Sequence, residues 1–495
     1  MNSPHASLAE PSSAPRIIPR SEHTISRSHI SPNALRVLYK LREAGFMAFL
    51  VGGCVRDLLL GLEPKDFDVA TDALPEQVKK LFRNCRLVGR RFRLAHVFFG
   101  REIIEVATFR AASAPSQGEE PLPDADPEDG EAPELDEPQL ESEGDVASEV
   151  AASAPPRYGS VDADTERMFD ETGRILRDNV YGTIDADVWR RDFTANALYY
   201  NIADFTLWDY VGGAEDIAAR RLKLIGDPET RFREDPVRML RAARFEAKLG
   251  FEIDPPTADP IGRLKGLLSG VPPARLFDET LKLFLTGHGA RSFEVLRRRG
   301  LLAALLPTVD AYFDAHPGSL VEKLLVQGLK NTDARVLADK PVTPTFLFAL
   351  LLYGPIADII EATPPEQWHE LGTILDACDA AAREAQVHVA LPKRFSQGVR
   401  EMFALQPRLE HPRGRRALRV LEHPRFRAAY DMLLLRADYG LASREMAQWW
   451  TRIQEVSAEE RARMADALTG QAPRPEGQQR SRRRRRRRRP SQPSS

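Results

Sequence analysis

Two aspartates, Asp66 and Asp68, stand two positions apart in the segment GLEPKDFDVAT. In a β-strand alternate side chains share a face, so both carboxylates would point into one space while Phe67 and Val69 pack into the core. Two carboxylates held close together repel each other and resist ionisation unless a cation lies between them. Mg²⁺ suits such a pair because it prefers oxygen ligands and often shares them with substrate phosphates. The pair predicts magnesium-dependent phosphate chemistry, although a bare Asp-x-Asp is more often a solvated turn.

A glycine pair, Gly52 and Gly53, lies just upstream in LVGGCVRDLLLG. Directly after an apolar strand, these glycines leave the backbone free to approach a ligand, with the amides of the next helix facing it. Arg56 would then lie on the first turn of that helix, next to a bound phosphate. Glycines for a phosphate beside carboxylates for a metal predict a nucleotide site.

The elements that must position these residues form a small α/β unit over residues 31–110. Ser31 and Pro32 are typical of a helix start, and Gly45 of its end. Apolar runs with short polar breaks predict a mixed sheet packed against the helices. Helices are predicted in NALRVLYKLREAG, VRDLLLG and LPEQVKKLF, and strands in FMAFLVGG, DFDVAT, CRLVG, LAHVFFG and EIIEVATF.

Composition divides the chain into segments. Fourteen acidic residues and no Lys or Arg lie between Ala111 and Pro156, so residues 111–157 are predicted to be a disordered insertion. From Asp227 onwards, Leu, Phe and Arg recur every three or four residues without a convincing strand. The predicted order is a disordered leader (1–30), an α/β catalytic domain (31–225), a helical neck (226–290), a helical body (291–470) and a disordered tail (471–495).

Several classes of protein are excluded by simpler features. No run of about 20 apolar residues occurs, so no membrane span is expected. The N-terminus lacks a charged segment followed by an apolar one, which argues against a secretory signal. The three cysteines are scattered without metal-ligand spacing, which favours a reducing compartment, and the cytoplasm is expected.

Two further segments extend the motif set: RRDFTANAL (Arg190–Leu198) and REDPVRMLRAARF (Arg233–Phe245). In this order after LVGGCVRDLLLG and KDFDVAT, they resemble the motifs of the DNA polymerase β nucleotidyltransferase superfamily, in the class that contains bacterial poly(A) polymerases and bacterial-type CCA-adding enzymes. The resemblance covers residues 16–470 apart from the insertion. It implies a polymerase β-like palm with a mixed sheet, followed by an all-α neck and body.

The resemblance implies a nucleotidyltransferase that uses two Mg²⁺ ions held by Asp66 and Asp68. One ion activates an RNA 3′-hydroxyl, and the other neutralises the triphosphate and the leaving pyrophosphate. A third carboxylate is expected, either Glu105 in EIIEVATFR or Asp192 in RRDF. We predict Asp192 as catalytic and Glu105 as a metal ligand, and the sequence does not rank them.

Several arginines are candidates for the nucleotide. Arg110 would face the triphosphate, as would Arg90, Arg91 and Arg93, and Arg191 would contact the ribose. In similar enzymes the acid–arginine pair that corresponds to Asp235 and Arg238 reads the base edge, and an arginine fork held by an aspartate suits that task. An ordinary i,i+3 salt bridge is the alternative.

The choice of nucleotide is the main open question. LIGDPETRFREDPVRML, together with IPRSEHTISRSHISPNALRVLYKL and LEHPRFRAAYDMLLLRA, resembles the poly(A) polymerase branch more than the CCA-adding branch. The expected activity is a polynucleotide adenylyltransferase that extends the 3′ ends of mRNA and other transcripts from ATP, with tails that recruit RNA-decay proteins. The alternatives are a CCA-adding enzyme and a non-catalytic RNA-binding protein on this scaffold.

The basic tail fits an enzyme that acts on varied RNA. From Arg474 to the end there are ten arginines and one glutamate. Clustered arginines bind phosphates without reading sequence, so salt-sensitive RNA binding is predicted, with nonspecific adhesion to polyanions as the alternative. The consecutive arginines are Arg482, Arg483, Arg484, Arg485, Arg486, Arg487, Arg488 and Arg489.

Overall fold

The computed structural model describes residues 14–89, 93–110, 167–169, 175–178 and 181–468. The described residues divide into two compact units. The first comprises the chain up to Ala315 with Leu329–Val342 and Arg383–Leu391, and the second comprises the remainder. The predicted border between neck and body, at residues 290/291, therefore lies inside the first unit. The predicted insertion and the arginine tail lie outside the described residues.

Within the described residues of the first unit, eight strands form one mixed sheet. The strands are β1 (Arg16–Ile18), β2 (Ala48–Val51), β3 (Asp68–Thr71), β4 (Cys85–Val88), β5 (Leu94–Phe99), β6 (Glu102–Thr108), β9 (Leu198–Asn201) and β10 (Leu207–Asp209). Their order across the sheet is β1-β10-β9-β2-β3-β6-β5-β4. Most neighbours are antiparallel, whereas β3 and β6 are parallel. The predicted α/β class with a mixed sheet is confirmed.

Short strand pairs stand outside this sheet. β7 (Arg167–Phe169) pairs antiparallel with β8 (Ile175–Asp178). β11 (Arg221–Leu222) pairs parallel with β12 (Glu252–Ile253). The second pair joins the end of the catalytic domain to the predicted neck, a region in which the sequence pattern indicated helices alone.

The described part of the N-terminal leader belongs to the fold. β1 adds to the sheet edge, with Arg16 opposite Asp209 and Ile18 opposite Leu207. Ile18, Ile25 and Ile30 are buried, with at most 6% of each side chain exposed. The prediction of a disordered leader is therefore wrong for residues 16–30, because isolated isoleucines in a polar segment find their core only through non-local pairing.

The predicted helix after the leader is confirmed as α1 (Pro32–Glu43). The Ser31 hydroxyl oxygen accepts a hydrogen bond from the Asn33 amide at its start. Its apolar face covers the sheet, and β2 is buried along its whole length at the centre. The other helices of the head are α2 (Gly53–Leu59), α3 (Pro75–Leu81), α4 (Ile184–Arg190) and α5 (Gly213–Ala218). The sheet thus places the end of β2, from which α2 starts, beside the start of β3, with β6 on the other side of β3.

Helices dominate the rest of the chain, as predicted. In the first unit they are α6 (Pro228–Glu234), α7 (Val237–Leu249), α8 (Pro255–Leu264), α9 (Pro273–Phe284), α10 (Gly289–Arg298), α11 (Leu302–Leu305) and α12 (Pro307–Ala315). Two helices have residues in both units: α13 (Leu320–Leu337) and α16 (Leu371–Val389). Those of the second unit are α14 (Pro344–Leu351), α15 (Tyr353–Glu361), α17 (Lys393–Glu410), α18 (Arg416–Leu421), α19 (Phe426–Asp438), α20 (Arg444–Glu455) and α21 (Ala458–Ala467).

The core of the second unit lies between α17, α19 and α20. Trp450 is fully buried there and donates from its indole nitrogen to the Leu409 carbonyl oxygen over 2.7 Å. Among the described helices, none alone is long and apolar enough to cross a membrane, although the bent pair α14 and α15 passes that test jointly.

Candidate active site

Gly52 and Asp68 meet at the edge where β2 ends and β3 begins. Val51 pairs with Asp68 across the two strands. Gly52 has φ +79° and ψ −139°, a conformation that only glycine adopts without strain. A Cβ added there would lie 3.6 Å from Asp68 Oδ2 and 3.9 Å from Arg191 Nη1. The glycine therefore brings the backbone against both a carboxylate and a guanidinium.

We expect Gly52→Ala to destabilise the fold because alanine must adopt this strained backbone. The free energy of unfolding should fall by about 1–3 kcal/mol, as measured by urea denaturation. Gly262→Ala is the matched control: Gly262 lies within α8 and has no neighbour within 4 Å of an added Cβ. Alanine there should stabilise the protein by up to about 1 kcal/mol, and an equal loss in both variants would contradict the argument.

Three carboxylates gather around the start of β3. The parallel register places Asp68 beside Glu105 of β6, and Asp66 lies exposed in the irregular segment just before β3. Burial first, and then the charges of Glu105 and Asp66, raise the pKa of Asp68 to about 6 against the opposing effect of Arg191. The side chain of Glu105 is 43% exposed, and its Oε2 lies 3.5 Å from His96 Nε2. The prediction that Asp66 and Asp68 share one strand needs a correction, since β3 begins at Asp68.

Arg191 supplies the positive charge at this edge. Its guanidinium donates to Tyr199 Oη (2.9 Å) and to Asp187 Oδ2 (3.0 Å), and the Tyr199 hydroxyl donates to the same Asp187 oxygen (2.7 Å). Burial lowers the pKa of Arg191, but Tyr199 and Asp187 outweigh it and raise the pKa overall. The cation is therefore held permanently charged and fixed in direction, next to Gly52.

Arg110 lies near the same group of residues. Its backbone pairs with Tyr181, and its amide donates to Asp187 Oδ1 over 3.3 Å. Burial and then Arg190 lower the pKa of Arg110, against the effect of Asp187, Tyr181 and Glu105. Of the other candidates, Arg93 pairs with Glu76, and Arg90 and Arg91 lie outside the described residues.

Arg56 has a different place from the one predicted. Only 2% of its side chain is exposed, and it donates to Asn196 Oδ1 (2.5 Å) and Asp57 Oδ1 (2.6 Å). Its guanidinium also lies 5.6 Å from the centre of the Phe245 ring. The structure therefore turns Arg56 towards the core, where its guanidinium lies next to Gly53. Its predicted contact with a nucleotide stays a prediction.

Asp192 is also engaged in a buried contact. Its Oδ2 accepts from Arg241 Nε (2.8 Å) and Nη2 (2.5 Å), and its Oδ1 accepts from the Phe193 amide (2.8 Å). Burial raises the pKa of Asp192, but the Arg241 charge and these hydrogen bonds lower it overall. Its carboxylate joins the head to α7. The geometry thus favours Glu105 over Asp192 as the third carboxylate.

Asp235 and Arg238 lie near each other but take separate partners. Asp235 Oδ2 pairs with Arg275 Nη2 at 2.7 Å, whereas Arg238 Nη1 donates to the Arg231 carbonyl oxygen (2.7 Å) and to Glu234 (3.1 Å). The predicted direct pair is therefore corrected, because the turn at Pro236 orients the aspartate towards α9. The side chain of Arg238 is only 14% exposed, so its fork is held by fixed partners.

Arg231 connects α6 to the start of the RRDFTANAL segment (Arg190–Leu198). Its guanidinium donates to the backbone oxygens of Arg190 (3.1 Å) and Arg191 (2.8 Å). The base-reading candidates and the triphosphate candidates thus belong to one connected network in the first unit. Sequence reasoning missed Arg231, and it also missed Asp187, Tyr199, Arg241 and Arg275. Only Arg241 gave a signal, since it follows Arg238 by three residues on the same face of one helix.

The carboxylate group fits a magnesium ion by its chemistry. Asp66, Asp68 and Glu105 offer hard oxygen donors, and a cation would relieve the repulsion that raises the pKa of Asp68. No three His, Cys, Asp or Glu side chains within the described part of the chain already stand at ligand distances from a common point. The exposed side chains of Asp66 and Glu105 would therefore have to rotate towards Asp68 to bind an ion.

Comparison with known proteins decides the family. The Poly A polymerase head domain matches residues 48–223, the Probable RNA and SrmB- binding site of polymerase A matches 250–313, and the Polymerase A arginine-rich C-terminus matches 366–490. Poly(A) polymerase I of Escherichia coli O6:H1 is 46% identical over 449 residues, which cover 89% of this chain and 86% of the relative. The chain belongs to the poly(A) polymerase I family.

Membership of the poly(A) polymerase I family confirms the predicted branch and makes the chain a nucleotidyltransferase. A CCA-adding enzyme of Bacillus pumilus is 32% identical, but the match covers only 53% of this chain and 52% of the relative. A solved tRNA-processing enzyme complex shares the fold with a TM-score of 0.53 and 19% identity, over 88% of this chain and 98% of that chain. The CCA-adding alternative therefore rests on partial similarity alone.

Proposed function

We propose that the chain transfers AMP from ATP to the 3′-hydroxyl of RNA at the group formed by Asp68, Glu105 and Asp66, with Mg²⁺ as the metal. The pairing of Asp68 with Glu105 across parallel strands, next to Gly52 and Arg191, carries this proposal. Bound Mg²⁺ would supply Lewis-acid stabilisation of the phosphate charge and activation of the attacking hydroxyl. The three carboxylates would hold it.

The protein groups around the carboxylates have separate tasks. Arg191, fixed by Tyr199 and Asp187, would hold the triphosphate and stabilise the charge that develops on the leaving pyrophosphate. Gly52 would let the phosphates approach the backbone at the start of α2, because no side chain stands in the way. Arg110 would extend the positive edge. The hydroxyl attacks the α-phosphorus, the bond to the β-phosphate oxygen breaks, and pyrophosphate leaves.

A product assay tests the activity directly. With an RNA primer and ATP alone, we expect long A-tracts. With CTP alone we expect little extension, and with both nucleotides we expect no arrest after CCA. A product that stops at CCA would overturn the adenylyltransferase assignment in favour of the CCA-adding one. Absence of extension under all three conditions would favour a non-catalytic RNA-binding protein.

Arg238 would read the base edge, because its guanidinium is held in one orientation by Glu234 and by the Arg231 carbonyl oxygen. We expect Arg238→Ala to raise the KM for ATP about tenfold and to increase CMP and GMP incorporation, since a charged hydrogen bond contributes about 1.5–3 kcal/mol. Primer affinity should stay within about twofold, which nitrocellulose filter binding would measure. Unchanged selectivity would contradict the base-reading role.

The wider role follows from the product. Single-stranded A-tails would give RNA-decay exonucleases a place to start on mRNA and other transcripts. The arginines 482–489 would add salt-sensitive, sequence-independent affinity for the RNA. A chain ending at Gly470 should bind RNA more weakly at low salt and with a smaller salt slope.

A further inference from the structure

The second unit contains a cavity of about 840 Å³. Most of its lining comes from α15, α17 and α18 and from the segments that follow them, and α16 and α19 contribute one residue each, Ile374 and Arg436. All of the lining residues belong to this unit, whereas the carboxylates of the candidate active site belong to the first. Pockets for small organic ligands measure about 300–1,000 Å³, so this cavity accepts a molecule much larger than a single phosphate ion.

Arginines dominate the charge of the cavity. Arg436 is compensated inside it, because its Nη1 lies 2.5 Å from Glu410 Oε1 and its Nε donates to Tyr353 Oη over 3.0 Å. Four other arginines at the lining are exposed, and their guanidinium groups have no hydrogen bond or ion pair with any described residue: Arg408, Arg413, Arg416 and Arg419. Apart from Glu410, the lining has one carboxylate, Glu361.

These four arginines differ from a neighbouring surface arginine, which has an acidic partner. Arg415, which lies between Arg413 and Arg416, donates two hydrogen bonds to Asp466: Nε to Oδ1 over 3.0 Å and Nη2 to Oδ2 over 3.2 Å. Arg416 and Arg419 lie three apart on α18, on one face of the helix, and their like charges repel. A ligand with two or more negative charges would relieve this repulsion and accept several guanidinium hydrogen bonds.

The interior of the cavity favours a flat, partly apolar group. Ile356, Ile360 and Val420 contribute aliphatic surface, and Trp368 contributes an aromatic ring. The Trp368 indole nitrogen donates to the Thr363 carbonyl oxygen over 2.9 Å, so its ring is held in place while the residue stays partly exposed. Nucleobases stack on such rings with about 1–3 kcal/mol per base.

We propose that this cavity is a second nucleotide-binding site, which holds a purine nucleoside phosphate with its base against Trp368 and its phosphates on Arg416 and Arg419. The ligand is either a free nucleotide or one nucleotide unit of an RNA strand, because both carry the same base and phosphate. The site is separate from the candidate active site and does not rest on the proposed function.

The test uses the full chain with EDTA present and no catalysis. ADP is titrated by calorimetry into the wild type and the variant Arg416→Gln/Arg419→Gln. The matched control is Arg452→Gln/Arg463→Gln, which removes the same charge from exposed positions of the same unit, with 69% and 72% of the side chains exposed. We expect at least about tenfold weaker binding in the first variant, since two charged hydrogen bonds are lost, and no change in the control. Trp368→Leu should also weaken binding about tenfold by the loss of stacking.

A second arm repeats the titration with 5′-phosphorylated pentaadenylate. If the oligonucleotide displaces ADP and depends on Arg416 and Arg419, the site takes RNA. If only ADP shows that dependence, the site takes free nucleotide. Both results support the proposal. It is overturned if neither probe binds, if both bind the arginine variant as they bind the wild type, or if the control loses as much affinity.

Discussion

Asp68→Asn is expected to lower the rate of AMP transfer by about 1,000-fold or more, because a metal ligand contributes several kcal/mol to the transition state. Asparagine keeps the shape of the side chain but loses the charge that would hold Mg²⁺. Single-turnover extension of a labelled RNA primer with saturating ATP and Mg²⁺ measures the effect. The matched control is Asp72→Asn at the other end of β3, where Oδ1 accepts the Met47 amide and asparagine can do the same. The control should keep near-normal activity.

The same variant should not lose stability. The folded pKa of Asp68 is raised to about 6, above its ordinary value of 3.8. The ionised form is therefore disfavoured by folding: the penalty is absent below about pH 4, grows as the pH rises from about 4 to about 6, and is complete above that. In EDTA at pH 7.5 we expect Asp68→Asn to be more stable than the wild type by about 1–3 kcal/mol. Near-normal transfer, or a large loss of stability, would contradict the assignment of Asp68 as a metal ligand.

Glu105→Gln is expected to lose activity but not stability, whereas Asp192→Asn is expected to lose stability. Glu105 is exposed enough to tolerate an amide, so its variant should keep the free energy of unfolding within about 0.5 kcal/mol but lose about 100-fold in kcat. Asp192 is 10% exposed and bound to Arg241, so its variant should lose about 2–4 kcal/mol of stability because a charged partner is left behind. Arg241 is 35% exposed, which places the expected loss below the largest values for buried pairs.

A double variant separates the structural effect from a catalytic one. Asp192→Leu/Arg241→Met removes both charges and should regain much of the stability lost by Asp192→Asn. Urea unfolding and primer extension are measured on all of these variants. If Asp192→Asn is fully stable but inactive while Glu105→Gln is active, the roles of the two carboxylates are the reverse of those proposed.

The local parts of the fold could be predicted from sequence because they depend on neighbouring residues. Ser31, Pro32 and Gly45 predicted the bounds of α1. The alternation of side chains along a strand predicted that Phe67 and Val69 are buried in the core. The pairing of Asp68 with Glu105 could not be predicted, since it depends on the register between two strands with a helix and other strands between them. The leader strand was missed for the same reason.

The sequence also could not predict which residues the candidate arginines and aspartates contact. Arg56 and Arg191 are both arginines in glycine- or arginine-rich motifs, yet one is buried against Phe245 and the other faces Gly52. Asp192 and Asp235 were both predicted to belong to functional motifs, and that assignment stays a prediction. Their partners, Arg241 and Arg275, come from helices whose packing no spacing rule supplies.

The backbone contact between Arg110 and Tyr181 has a consequence for how this head can vary. The Gly182 amide also donates to the Phe109 carbonyl oxygen over 2.9 Å, so the two ends of the intervening stretch lie next to each other just beyond the end of β6. Lengthening a loop whose ends are already joined adds only a logarithmic entropy penalty. A change in the length of the stretch between these two anchors should therefore cost little free energy and leave Asp68 and Glu105 in place.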